Sequence, residues 1–175
     1  GRGDCDYTRF FGDTILFWRN YFHGTNRDSV GNAHVDCFQT FDDNGEHACY
    51  ITIDANRGFD YTQGVMADAQ NHHNTHDFVI KNNLFARGWA WGVCTRDIPN
   101  VMVYNNTFAC IGWHGVGFSG PYSQGGVVRN NIFFNTTTSY RWTDTAQASG
   151  DYNLIYGASQ PTRLGPHDIM NQYPQ

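Results

Sequence analysis

One short pattern returns along the chain and constrains its architecture more than any other feature. Val79-Ile80-Lys81-Asn82-Asn83-Leu84-Phe85 recurs almost letter for letter as Val103-Tyr104-Asn105-Asn106-Thr107-Phe108 and as Val128-Arg129-Asn130-Asn131-Ile132-Phe133. Weaker copies are Phe17-Trp18-Arg19-Asn20-Tyr21-Phe22, Ile53-Asp54-Ala55-Asn56 and Asp151-Tyr152-Asn153-Leu154-Ile155. With the second Asn as anchor the units fall at 20, 56, 83, 106, 131 and 153, in steps of 36, 27, 23, 25 and 22. Self-similarity at such a period signals a solenoid.

Each unit pairs apolar β-branched residues with a polar pair and an aromatic, and Gly-rich segments lie between units. No window of twelve residues keeps an apolar i, i+3, i+4, i+7 pattern, which excludes long amphipathic helices, and the leucine-rich consensus is absent. A coil of about three short strands, stacked on the next at ~4.8 Å by parallel ladders, fits instead. Asn at one place in successive coils forms a ladder of amide hydrogen bonds, each side chain offering a donor and an acceptor. The chain divides into a lead-in segment (1–13), a β-helix domain (14–157) and a tail or cap (158–175) punctuated by Pro161, Pro166 and Pro174.

The repeat resembles that of the right-handed parallel β-helix superfamily, the pectate-lyase-like proteins, over about residues 12–157. The resemblance implies an all-β, single-stranded right-handed parallel β-helix of about six coils. It also implies a groove on the face edged by the long loops. The His-x-Asp-x-x-Gln strand at His34, Asp36 and Gln39 is similar to strands of uncharacterised bacterial parallel β-helix repeat proteins. Gly112-Trp113-His114-Gly115 is similar to the Gly-His-Gly strand of polygalacturonase-type glycoside hydrolases. The paired Asp and the basic motif of that family are not at matching positions, so a hydrolase is the lesser expectation.

At 175 residues the chain is one domain, with 16% aromatic and only 15% charged residues. A net charge of −5 without a Lys/Arg run disfavours nucleic acid, whose phosphates need clustered positive charge. No apolar stretch reaches the length of a membrane span. Five cysteines cannot all pair within the chain, and none has CxxC spacing, so most read as small buried hydrophobes and no metal site is expected from them.

Aligning the strands by distance from the ladder, with Phe38, Val65, Val93 and Val116 inward, predicts three outward columns. These are Gln39, Met66, Cys94 and Gly117; then Phe41, Asp68, Arg96 and Ser119; and, at the strand entrance, Asp36, Gln63, Trp91 and His114. The candidate catalytic residues are His34, Asp36, Arg96 and His114. The candidate substrate-binding residues are Gln39, Asp68, Trp91 and Trp113.

Imidazoles shuttle protons near neutral pH, a guanidinium neutralises a carboxylate, and indoles stack on sugar rings. Asp68 and Arg96, adjacent in one column, are expected to pair. No two of the candidate carboxylates reach the separations of two-carboxylate glycosidases. The reading is therefore a secreted or cell-surface protein that binds or degrades an extended polysaccharide, with lyase-type cleavage of a uronic-acid glycan favoured. The acidic balance disfavours a strongly anionic substrate unless Ca²⁺ bridges the two, so Ca²⁺ is the one cofactor admitted. The competing reading is a non-catalytic structural or adhesive solenoid.

Overall fold

The computed structural model describes residues 5–143, 145–158 and 164–171. The chain winds through three parallel sheets, each coil contributing one strand to each sheet in turn. The first sheet is built on Ala48–Asp54, His76–Lys81, Val101–Tyr104, Gln124–Arg129 and Gln147–Asp151, with Gly12–Asp13 and Leu16–Trp18 on its outer edge. The second holds the short strands that follow each ladder Asn, from Tyr21–Phe22 to Leu154–Tyr156 and then Ile169–Met170. The third holds Phe38–Phe41, Gln63–Asp68, Trp91–Arg96, His114–Ser119 and Thr138–Trp142. The expected six coils are thus five complete turns and a sixth that has no third-sheet strand among the described residues. One four-residue helix, Arg27–Val30, lies in the long first insertion and is N-capped by the Asn26 side chain. Among the described residues no helix is long and apolar enough to cross a membrane.

The Asn-Asn dipeptide divides its work. The first Asn turns the corner with positive φ (Asn82 56°, Asn105 57°, Asn130 55°), a region that asparagine tolerates better than most side chains. The second Asn points inward and stacks. Asn20 Nδ2 donates to Asn56 Oδ1, Asn56 to Asn83, Asn83 to Asn106, Asn106 to Asn131 and Asn131 to Asn153, all within 2.8–3.1 Å. Each Oδ1 also accepts the previous ladder residue's backbone N–H, which satisfies groups at the buried corners.

The last rung is closed from the tail. Asp168 Oδ1 accepts from both Asn153 N (2.7 Å) and Nδ2 (3.1 Å), and its other oxygen accepts from the Tyr140 hydroxyl. The tail therefore covers the final coil, one of the two outcomes its prolines allow.

Inside, the aromatics of the three clearest units stack on one another, with Phe85–Phe108 at 5.9 Å and Phe108–Phe133 at 5.2 Å. A glycine column, Gly64, Gly92 and Gly115, opens the third-sheet strands. A Cβ at Gly92 would lie 2.4 Å from both the Gly115 carbonyl and the Phe108 ring, so these rings can stack only beside glycine. The inward set is buried as expected, with Val65, Val93 and Val116 fully so and Phe118 at 3% exposure. The register matches the predicted columns: Gln39, Met66, Cys94 and Gly117 align, as do Phe41, Asp68, Arg96 and Ser119. Residue 141 extends the first of these columns with Arg141.

Candidate functional site

The outer face of the third sheet carries a depression of ≈ 460 Å³ lined by several of the candidate residues. Its floor exists because two small residues, Cys94 and Gly117, occupy an outward column between larger neighbours. Trp91 lies down across that floor: a Cβ on Gly117 would meet the Trp91 ring at 2.1 Å. Burial pushes the Cys94 thiol up to about 12, so it is an inert part of the floor rather than a nucleophile.

Aromatic groups form one wall. The Trp91 ring sits 4.3 Å from the His114 ring and 6.2 Å, edge-on, from Trp113. Trp113 is 59% exposed, unusual for so large an apolar ring. Guanidiniums form the other wall. Arg96 is held 3.5 Å from Asp68 Oδ2 and donates to the Gln70 side chain, whereas Arg141 has no hydrogen-bond or ion-pair partner among the described residues.

Between the walls, His114 is driven down to about 4, first by desolvation and then by the charge of Arg141. Its imidazole is neutral at physiological pH, and its buried Nδ1 has no hydrogen-bond partner among the described residues. A second depression of ≈ 380 Å³, containing His34, Arg27 and Trp89, adjoins the first, and Trp113 lines both. The Arg27–Val30 insertion walls it, with the Arg27 guanidinium 5.7 Å from the Trp89 ring centre.

The structure thus brings Trp91, Arg96, Trp113 and His114 into one depression, sets Asp68 behind Arg96, and puts His34 in the adjoining hollow. It does not bring Asp36 or Gln39 there. Asp36 is completely buried, with Oδ1 accepting from Gln63 N at 3.0 Å and its own N–H donating to Asp6 Oδ1. The cause is its position on the first coil, where residues 5–11 run along the exposed edge of the third sheet; Tyr7 N bonds Asp36 O and Phe10 N bonds Gln39 O. Gln39 is half-buried, and its Oε1 accepts from Arg9 Nε at 2.9 Å, so its side chain is engaged by that segment. His34, Asp36 and Gln39 therefore do not line one concave site.

Arg141 is the site residue the sequence reading missed. Its signal was available, because it continues the Gln39–Gly117 column by one coil. The irregular fifth coil hid the register. No protein-family model matches the chain, and neither a curated protein nor a solved structure matches it.

Proposed function

We propose that the third-sheet groove binds an extended, uronic-acid-containing polysaccharide on a secreted or cell-surface protein. The single observation that carries this reading is the enclosure of two indoles, a neutral imidazole and two guanidiniums in one depression of ≈ 460 Å³. Indoles offer rigid faces to sugar rings, and guanidiniums pair with carboxylates through two parallel hydrogen bonds. Successive coils repeat at ~4.8 Å, so a chain laid along the solenoid axis meets Arg141, Trp113 and Trp91 in turn. The net charge of −5 does not oppose this, because the groove concentrates cations: Arg96 and Arg141 line it, and Arg27 lines its extension.

Lyase-type cleavage is the reaction that suits these groups. Arg96 or Arg141 neutralises the uronate carboxylate, which acidifies the C–H bond beside it. His114, already neutral, accepts that proton, and the electron pair left behind forms the ring C=C as the C–O bond to the glycosidic oxygen on the carbon β to the carboxylate breaks. The departing oxygen takes a proton from the imidazolium or from water. A bound carboxylate also offsets the Arg141 charge, which raises the basicity of His114 when substrate is present. The buried, hydrogen-bonded Asp36 favours the alternative in one respect: the strand richest in acid–base residues serves the scaffold, as it would in a non-catalytic solenoid.

Titration with a panel of uronic-acid and neutral polysaccharides, with and without Ca²⁺, tests the reading by tryptophan fluorescence and by absorbance of unsaturated products. Uronate-selective binding that falls up to roughly 10-fold in Trp113→Ala is expected, from a stacking loss of ~0.5–1.5 kcal/mol. Product formation should vanish in His114→Ala while binding persists. Binding without product in the unaltered protein would remove the lyase step and leave a binding module. Equal affinity for neutral glycans, or none for any uronate, would remove the function altogether.

A further inference from the structure

Among the described residues, one group of unlike metal-ligating side chains converges on the first sheet, away from the groove. Asp13, His47 and Cys49 offer a carboxylate oxygen, an imidazole nitrogen and a sulfur, all within 4.8 Å of one another. We propose that this cluster is a mononuclear site for a borderline-soft divalent cation of the Zn²⁺ class, which clasps the first coil to the second.

Three features of the fold build the site. Parallel pairing sets Gly12–Asp13 against Ala48–Asp54 with Asp13 opposite Cys49, so a carboxylate and a thiol from strands 36 residues apart in sequence meet across the ladder. The tight turn from Asp43 to Glu46 then delivers His47 at the start of that second strand. Gly45 O lies 3.2 Å from His47 Nδ1, a contact that in the neutral ring places the proton on Nδ1 and the lone pair on Nε2. Nε2 points at Asp13 Oδ1, 3.8 Å away. Such an outer hydrogen bond is the device that orients metal-binding imidazoles.

The sulfur is within reach as a thiol. Burial holds it above the ordinary thiol range, with the His76 backbone hydrogen bond only partly offsetting this, and the thiol proton goes to Asn74 O at 3.1 Å. Binding an ion replaces that proton: the S–H bond breaks, the proton leaves to solvent, and the thiolate lone pair enters the coordination shell.

The donor set selects the ion. Thiolate with imidazole suits Zn²⁺ and its neighbours, whereas Ca²⁺ and Mg²⁺ take oxygen alone. Zn–S near 2.3 Å and Zn–N near 2.0–2.1 Å in a tetrahedron need donors roughly 3.3–3.7 Å apart, so the cluster closes with movements of about 1 Å. Asp13 and His47 side chains are 60% and 40% exposed, so the fourth position faces water.

Co²⁺ titration of the reduced full chain tests the site, because a thiolate–Co²⁺ bond gives a near-ultraviolet charge-transfer band and tetrahedral Co²⁺ gives intense visible bands. One equivalent should develop both, and Zn²⁺ should bleach them. Cys49→Ser should abolish the charge-transfer band, and Cys5→Ser and Cys110→Ser, which remove the two exposed thiols, should leave it intact. His47→Ala and Asp13→Asn, at partly exposed positions and independent of whether Cys49→Ser folds, should each weaken binding beyond the roughly 10–100-fold typical of losing an outer-sphere partner. The proposal is overturned if stoichiometric Co²⁺ gives no band. It is equally overturned if the band survives Cys49→Ser, or if His47→Ala binds as tightly as the parent.

Discussion

Residues 34–41 and 114–119 run parallel in one sheet, three coils apart, and both bring a histidine and polar groups to the strand entrance. His34 stays exposed, but of the two column residues only that of the second stretch is kept at the surface. Asp36 and His114 belong to one column, yet Asp36 is sealed under residues 5–11 while His114 lines the groove. The difference comes from position along the stack. An end coil has an unpaired edge whose N–H and C=O groups must be covered, and the covering segment buries whatever the column holds there. An interior coil has both edges paired, so its outward side chains are left for solvent or ligand.

Asp36→Asn should produce the largest contrast between the two stretches. Exchanging a buried carboxylate that accepts from a neighbouring coil for a neutral amide costs about 1.5–3 kcal/mol. For a chain of this size that lowers the thermal midpoint by roughly 3–12 °C. Ligand affinity of the groove should not change. A variant that melts with the parent but no longer binds or cleaves glycan would reverse the assignment of scaffold and site.

Gly117→Ala sharpens the comparison from the other side. The added methyl cannot coexist with the Trp91 ring where it now lies, so the indole must lift off the floor. Affinity for the uronate ligand should fall roughly 10-fold, the size of one stacking contact. The thermal midpoint should move by less than in Asp36→Asn, because the clash is with a side chain that can swing toward solvent. Unchanged affinity would mean that the floor plays no part in recognition.

The smallest effect is in pH. His114 in the folded protein protonates only near about 4, below the ~6.5 of an unfolded chain. Between those values the unfolded state binds a proton that the folded state does not, so His114 makes stability fall as pH drops from ~6.5 to ~4. Above ~6.5 its contribution is flat. Partial exposure limits the effect to on the order of 1 kcal/mol. His114→Gln should flatten that part of the stability–pH curve, and the imidazole resonances of the parent should remain those of the neutral ring down to about pH 5. A parent whose His114 titrates near ~6.5 would show that the groove neither desolvates it nor sets Arg141 against it.

Much of the architecture was legible in the amino-acid order. The spacing of Asn56, Asn83, Asn106, Asn131 and Asn153 gave the stacking direction, and counting ten residues from Asn83 to Val93 and from Asn106 to Val116 gave the third-sheet register. The Asp68–Arg96 pair followed from that register. Gly64, Gly92 and Gly115 were visible but not understood, since their purpose is to admit rings from another part of the coil. Arg141 was missed because coil five carries no clean copy of the strand pattern. Asp13, His47 and Cys49 have no motif spacing at all, being joined by a turn and a ladder rather than by one element.

By itself the sequence determined the solenoid, its repeat and the inward or outward sense of most side chains. Those properties follow from local periodicity and from one asparagine's need for identical neighbours above and below. Only the tertiary structure decided which polar residues are available for chemistry. Periodicity treats every coil alike, but burial depends on what lies against a coil from outside the repeat. The lead-in segment that seals Asp36 and engages Gln39, the tail carboxylate that ends the asparagine ladder, and the indole laid over Gly117 are all such contacts, and none of them has a period.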